Sequence, residues 1–170
     1  MRLLLHILRE RRLHLAGKGE DRMDNYSLSV GVIVIKDSKV LLVKHNYGSA
    51  NGKYLNPGGY LKDGELPEEA AVREIFEETG VKIFPIGMIA IRCRCNEWYM
   101  VFKADYVSGE PQANPEENDE AVFMDIDEAL SNPLVTDTAK TLIQAAMSGR
   151  CMRGIDCRKE RKMYSVDNIE

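Results

Sequence analysis

Between Ser29 and Ile35 the chain is rich in Val and Ile, and a second apolar run, Val40–Lys44, follows directly after the turn-like cluster Lys36-Asp37-Ser38. Two such runs separated by so short a polar break predict a β-hairpin. Asn46–Gly59 holds four glycines and one proline and reads as loop. From Pro67 to Glu78 the pattern changes to helical, with Pro near the first turn, early glutamates and Gly80 just past the end. Val72, Ile75, Phe76 and Thr79 recur at i, i+3, i+4 and i+7, a stripe that can pack against a sheet. Val81–Cys95 and Trp98–Val107 are long β-type runs joined at Asn96-Glu97, a second hairpin. Gly109–Asn118 is polar, contains Pro111 and Pro115, and reads as an exposed loop. Ala121–Ile126 predicts a short strand, and Asp127–Leu130 and Thr136–Met147 predict helices. Strands, one helix, more strands and then helices describe a mixed β-sheet flanked by helices, an α/β fold, rather than a repeating βαβ unit.

The ends are less patterned. Leu3, Leu4, Ile7 and Leu8 fit one face of a helix, with Gly17-Lys18-Gly19 as the linker onward. Cys151–Glu170 is basic, then polar, and reads as a late helix or a loosely held tail. The chain therefore divides into an N-terminal extension (1–26), a central domain (27–149) and a basic-polar C-terminal extension (150–170).

Net charge refines this picture. The overall value is −4, but residues 1–26 and 150–170 each carry six Lys/Arg against four Asp/Glu, while 27–149 carries eleven against nineteen. An acidic body is a poor nucleic-acid surface, and handling phosphate would require cations to mediate. The apolar stretch Met1–Leu8 is too short for a signal-peptide core and runs into Arg9-Glu10-Arg11-Arg12 without a small-residue cleavage site. No run approaches the roughly 18 apolar residues of a membrane span. The expectation is a cytosolic protein with no membrane partner. Cys93, Cys95, Cys151 and Cys157 follow no familiar ligand spacing and are expected as free thiols.

The chemistry concentrates on the helix. Glu74, Glu77 and Glu78 recur at i, i+3 and i+4 and cluster on one face, where like charges disfavour an isolated helix by a few tenths of a kcal/mol per pair. Arg73, four residues before Glu77, offsets part of this. A solvated acidic face is the ordinary explanation of such a cluster; the alternative is a cage for hard cations, since Mg²⁺ takes oxygen ligands. Upstream, Pro57-Gly58-Gly59 places two glycines where backbone can approach a ligand closely. Glu65 is placed to cap or brace the helix start.

Gly59, five residues, Glu65, seven residues, Arg73-Glu74-Ile75, one residue, Glu77-Glu78, one residue, Gly80-Val81 resembles a complete Nudix box, all nine specified positions being filled. The resemblance covers residues 28–147. It implies the Nudix α/β/α sandwich and hydrolysis of a nucleoside diphosphate linked to another moiety. It further implies that Glu74, Glu77 and Glu78, with the Gly58 carbonyl, bind Mg²⁺ (or Mn²⁺). Arg73 would orient a catalytic glutamate, Glu65 would be structural, and Gly59 and Gly80 would shape the motif. Many relatives take a further acid from a later loop as ligand or base, and Glu117 and Glu120 are the candidates. An N-terminal extension in this family commonly contributes to a homodimer, with Leu3, Leu4, Ile7 or Leu8 at the interface. Proteins that keep the fold only as a nucleotide-binding regulatory module typically lose box glutamates, and here every one is present.

Substrate contacts are less specific. Lys44 matches a position where relatives carry a basic residue toward phosphate, and it also reads as a solvated lysine at a strand end. Arg92 and Arg94 share one strand face and fit either phosphate or nearby acids such as Glu97. Tyr99, eighteen residues after Val81, is similar to a tyrosine of diadenosine-polyphosphate hydrolases. The proline of one ADP-ribose subgroup is replaced by Glu97, and the run Ser-Gln-Pro-Trp-Pro-Phe-Pro of NADH-cleaving relatives is absent. With His45-Asn46-Tyr47 before the loop and Pro57-Gly58-Gly59-Tyr60 within it, the pattern resembles bacterial ADP-ribose or mutator-type members, so a nucleoside diphosphate sugar is expected ahead of a normal or oxidised nucleoside triphosphate.

Overall fold

The computed structural model describes residues 26–158 and 161–166, and the N-terminal segment read as helical lies outside them. Strands β1 (Ser27–Lys36) and β2 (Lys39–His45) form the first hairpin. Its two-residue turn needs positive φ at both positions, and Asp37 (49°) and Ser38 (61°) supply it, as a type I′ turn demands. The expected loop 46–59 is not wholly irregular: it carries a 3₁₀ turn and strand β3 (Tyr54–Leu55), and it ends in β4 (Gly58–Tyr60). These short pieces are pinned by their neighbours, β3 to β2 and β4 to β1, so glycine content alone did not reveal them.

Helix α1 (Pro67–Thr79) begins with Pro67 and ends at Gly80, whose φ of 71° places it in the left-handed cap. Strands β5 (Lys82–Arg94) and β6 (Glu97–Ser108) form the second hairpin around a Cys95-Asn96 turn. After the loop 109–117 come β7 (Asn118–Asp125), α2 (Ile126–Ser131) and α3 (Asp137–Met147). The Asp125 carboxylate caps α2, accepting from the backbone N–H of Asp127, and the Thr136 hydroxyl caps α3. The C-terminal segment is neither helix nor tail. It forms the hairpin β8 (Met152–Arg158) and β9 (Arg161–Val166), which extends the sheet beside β5.

The sheet runs β3-β2-β1-β6-β5-β8-β9, with β4 beside β1 and β7 beside β2. The β1–β6 pair is parallel and the others are antiparallel, so the sheet is mixed. Alternation along β1 separates two cores. Val30, Val32 and Val34 face α1, with Leu41, Phe102 and Ile75. Ile33 faces α2 and α3, with Val40, Leu42 and Ile143. This is the expected α/β/α sandwich. Each fully buried Val, Leu or Ile contributes on the order of 1.5–3 kcal/mol.

Helix α1 is turned relative to the predicted stripe. Ala70, Ala71, Ile75, Glu78 and Thr79 are buried, whereas Val72 and Phe76 are 40 % and 51 % exposed. The two alanines let the helix approach the sheet closely, and the inward face must also carry Glu78 to the backbone of Gly58. Trp98 is 45 % exposed, while Phe102 on the same strand is fully buried. Among the described residues Cys93, Cys95 and Cys151 are free thiols, and no helix is long and apolar enough to cross a membrane.

Candidate active site

Arg73 organises one side of the site by using all five of its N–H donors. Nε and Nη2 grip the Glu65 carboxylate at 2.7 and 2.8 Å, Nη1 donates to Glu74 at 2.6 Å and Glu77 at 3.0 Å, and Nη2 also donates to the Tyr60 carbonyl at 3.0 Å. Glu65 also accepts from the backbone N–H of Lys62 at 2.9 Å. The Arg73 guanidinium is the main reason its carboxyl falls to about 2. Glu65 thus braces the helix through Arg73 and does not cap it. The Leu66 N–H is taken by Glu69 at 2.9 Å.

Glu78 is the outlier. It is 4 % exposed, and its carboxylate accepts from the Gly58 N–H at 3.0 Å. Burial pushes its pKa to about 8, and the charges of Glu117 and Glu74 add to the rise against the Gly58 hydrogen bond. Glu117 is likewise raised, by partial burial and then by Glu74 and Glu77. Four acids from α1 and the loop before β7 therefore crowd one place, and only Glu74 and Glu77 have Arg73 to offset them. The donor set is all oxygen, which fits Mg²⁺ or Mn²⁺. Among the described residues no three acid, His or Cys side chains enclose a single point.

Gly58 and Gly59 form the floor. A Cβ on Gly59 would overlap the Glu74 carboxylate, and one on Gly58, at φ 154°, would strike the Val30 backbone. From this floor a cleft of about 540 Å³ extends past Asn56, Tyr99, Arg92 and Glu97 on one stretch and past His45, Tyr47, Thr136 and Thr138 on others. Asn56, buried at 4 % exposure, donates to the Tyr99 hydroxyl at 2.7 Å. Gly31 leaves room for both, because a side chain there would overlap them. A larger groove of about 710 Å³ on the outer side of α1 is lined by Leu66, Glu68, Glu69, Val72, Arg73 and Phe84 and by none of the four convergent acids.

The structure separates the remaining candidates. Glu120 stands opposite Lys44 across β2 and β7 and accepts from the Tyr54 hydroxyl, whose pKa this bond pushes up to about 12. Glu117, not Glu120, couples to the box glutamates. Lys44 lies over the Tyr54 ring at 5.8 Å and does not line the cleft. Arg92 lines it, stacked over Tyr99 at 4.8 Å and paired to Glu97 at 3.2 Å. Arg94 shares Glu97 at 3.4 Å, is 65 % exposed and stays outside. Sequence reasoning missed Asn56, Tyr47 and Asn118. Asn118 is buried, donates to the Glu78 carbonyl at 3.1 Å and accepts from the Asn114 N–H at 3.2 Å, so it ties the Glu117 loop to the end of α1. Asparagines in polar loops carry no periodicity, and only the proximity of Asn56 to the paired glycines was a signal.

A model of the NUDIX domain matches residues 25–145. The chain belongs to the NUDIX family. It is 34 % identical over 106 residues to an ADP-ribose pyrophosphatase of Methanocaldococcus jannaschii, covering 59 % of this chain and 62 % of that protein. It is 30 % identical over 150 residues to the NAD-capped RNA hydrolase NudC of Stutzerimonas stutzeri, covering 85 % of this chain and 52 % of that one. The chain thus spans less than two thirds of the length of these curated relatives. Among solved structures, a NUDIX hydrolase from Nitrosomonas europaea superposes with a TM-score of 0.66 at 22 % identity, covering 75 % of this chain and 76 % of the other, a likeness of fold. Divalent-metal chemistry is general in NUDIX hydrolases.

Proposed function

We propose that this NUDIX chain is a Mg²⁺-dependent pyrophosphohydrolase that cleaves the phosphate–phosphate bond of a nucleoside diphosphate joined to another moiety. The preferred substrate is a nucleoside diphosphate sugar such as ADP-ribose, which would give a nucleoside monophosphate and a sugar phosphate. The observation that carries the reading is the crowding of Glu74, Glu77, Glu78 and Glu117 beside two side-chain-free residues at the end of a nucleoside-sized cleft.

Glu74, Glu77, Glu78 and Glu117, with the Gly58 carbonyl, would hold Mg²⁺, or Mn²⁺ in its place, and the bound ions supply neutralisation of phosphate charge and an acidified water. Arg73 fixes the Glu74 and Glu77 carboxylates in advance of binding, so little reorganisation remains for the reaction. The bare backbone at Gly58-Gly59 admits the diphosphate against the acids. Glu117, from the loop before β7, would serve as a further ligand or take the proton from the attacking water. Asn56, Tyr99 and the Glu97-paired Arg92 lie along the cleft where the nucleoside or the distal sugar is placed. Glu120, which accepts from the Tyr54 hydroxyl, and Lys44 and Arg94, which do not line the cleft, are given no part in this reading.

The names of the two curated relatives support the substrate ranking, because ADP-ribose and an NAD cap share an ADP-ribosyl group. A panel of ADP-ribose, other nucleoside diphosphate sugars, diadenosine polyphosphates and normal or oxidised nucleoside triphosphates, assayed with Mg²⁺, tests it. ADP-ribose or a related sugar should lead by at least about tenfold in kcat/KM. A lead for triphosphates would replace the substrate and keep the metal mechanism. Tight nucleotide binding with no turnover would instead favour a regulatory module. The chain is further proposed to act in the cytosol as a homodimer with Leu3, Leu4, Ile7 or Leu8 partly at the interface. Light scattering showing a monomer for both the full chain and a chain starting near Asp24 removes the dimer.

A further inference from the structure

Asn56 and Tyr99 meet beside β1 only because residue 31 is glycine: a Cβ there would overlap both the Tyr99 hydroxyl and the Asn56 amide nitrogen. Asn56 is 4 % exposed and donates through Nδ2 to the Tyr99 hydroxyl at 2.7 Å, and both residues line the cleft. The rest of Tyr99 is held. Its ring packs against the core that faces α2 and α3, and the Glu97-paired Arg92 lies over it at 4.8 Å. Burial raises the Tyr99 pKa, so the hydroxyl keeps its proton at neutral pH. A hydroxyl has one proton, and an oxygen that accepts from Asn56 directs that proton elsewhere. Among the described residues no acceptor takes it, and no donor reaches Asn56 Oδ1. Polar groups this buried are ordinarily paired, and the cleft is the side from which a partner can come. Two fixed side chains thus bring one donor and one acceptor to the cleft wall without net charge.

We propose that Asn56 and Tyr99 form a subsite for a sugar hydroxyl: Tyr99 donates to, and Asn56 Oδ1 accepts from, a ribose hydroxyl next to the diphosphate, so the site selects ribose over deoxyribose. This rests on the reading of the cleft as a nucleotide site. Phosphate is met by cations or metal, and this pair is neutral. Asn56 precedes Gly58 by two residues across Pro57, so its Cα is at most about 7 Å from the floor that receives the diphosphate, a span that one pentose fills. Each ribose hydroxyl both donates and accepts, which is what a donor–acceptor pair matches. The nucleoside ribose and the distal ribose of a nucleoside diphosphate sugar both adjoin the diphosphate and both carry such hydroxyls; ligands holding only one of them separate the two. A ligand without the hydroxyl leaves both protein groups unpaired, which is how a polar site rejects an analogue that an apolar pocket would accept.

The test uses the full chain as wild type, Tyr99→Phe and Asn56→Ala. Calorimetry in EDTA compares AMP with its 2′-deoxy and 3′-deoxy forms, and ribose 5-phosphate with 2-deoxyribose 5-phosphate. Steady-state kinetics with Mg²⁺ compares ADP-ribose with analogues deoxygenated on either ribose. Wild type should prefer the hydroxylated member of one series by about tenfold or more, in Kd and in kcat/KM. Each variant should bring that preference close to one by weakening the hydroxylated ligand and leaving the deoxy ligand unchanged. A preference in the AMP series assigns the subsite to the nucleoside, and one in the ribose 5-phosphate series assigns it to the distal sugar. Equal affinity of wild type for hydroxylated and deoxy ligands in both series overturns the proposal. So do variants that keep the wild-type preference, or that weaken both kinds of ligand alike, as a bond that only holds the loop in place would. If ADP-ribose is cleaved without this discrimination, the subsite falls and the activity stands. If binding discriminates and no diphosphate is cleaved, the subsite stands and the activity falls. Where wild type cleaves ADP-ribose but binds none of the smaller ligands, the kcat/KM ratios decide by the same criteria. A wild type that neither binds nor cleaves overturns both. Should Asn56→Ala fail to fold, Asn56→Ser is read in the same way.

Discussion

Replacing Glu65 by Gln removes one charge from the Arg73 clamp while keeping the shape. The folded-state carboxyl titrates near 2 against an ordinary value of 4.5, so the ion pair stabilises the folded chain above pH 4.5, and that stability is lost as pH falls through 2. A difference of about 2.5 pH units at 1.36 kcal/mol each sets a ceiling of about 3.4 kcal/mol. Water reaches both side chains (13 % and 19 % exposed), and Arg73 keeps Glu74 and Glu77, so about 1–2 kcal/mol is the expected cost. Urea melts at pH 7 should show that deficit, equivalent to a few degrees in Tm. Repeated at pH 5, 4 and 3, they should show it shrinking to roughly half by pH 3, because the carboxyl of the unfolded chain protonates first, with the remainder lost as pH falls through 2. A deficit that stays constant down to pH 3, or no deficit at pH 7, refutes the assignment of Glu65 as the ion-paired brace.

Three further outcomes follow from the same geometry. Glu77→Gln should lower kcat/KM roughly 10²–10⁴-fold with an unchanged melt, since Glu77 is half exposed and serves chemistry rather than packing. Glu78→Gln should also lose activity, yet in metal-free buffer it should be more stable than wild type by about 1–3 kcal/mol at pH 8 and equal near pH 4.5. The sign follows because a buried carboxyl raised to about 8 destabilises the fold progressively as pH rises from 4.5, and a neutral amide does not; melts that rank the two the other way would contradict it. Asn118→Ala should cost about 1–3 kcal/mol by leaving the Glu78 carbonyl and the Asn114 N–H unpaired, and should lower kcat more than KM by loosening Glu117; denaturant melts and steady-state kinetics on one preparation check both.

The acids of α1 were legible because their contribution is local: helical spacing alone sets Glu74, Glu77 and Glu78 on one side, and the motif added Gly59, Glu65 and Arg73. The contact between Arg73 and Glu65 crosses the start of the helix and depends on the turn at Lys62–Glu65, which spacing does not encode. The choice of Glu117 over Glu120 depends on where β7 begins. Asn118 opens that strand and holds Glu117 at the end of α1, while Glu120, two residues on, is carried to Tyr54. Val72 and Phe76 mimic a core stripe because periodicity reports which residues share a face and not which face meets the sheet. The β8–β9 hairpin was hidden by its basic, weakly alternating composition, and its pairing to β5 is a long-range contact. Tyr47 entered only within the run His45-Asn46-Tyr47, and a tyrosine in a loop reads the same whether it faces a cleft or solvent.

The central claim is metal-dependent cleavage of a nucleoside diphosphate by these acids, and analysis of ADP-ribose products tests it most directly. Wild type with Mg²⁺ should convert ADP-ribose to AMP and ribose 5-phosphate in equal amounts, EDTA should stop the reaction, and Glu77→Gln should slow it by at least about a hundredfold. Undiminished turnover in EDTA, or products other than a nucleoside monophosphate and a sugar phosphate, would contradict the account.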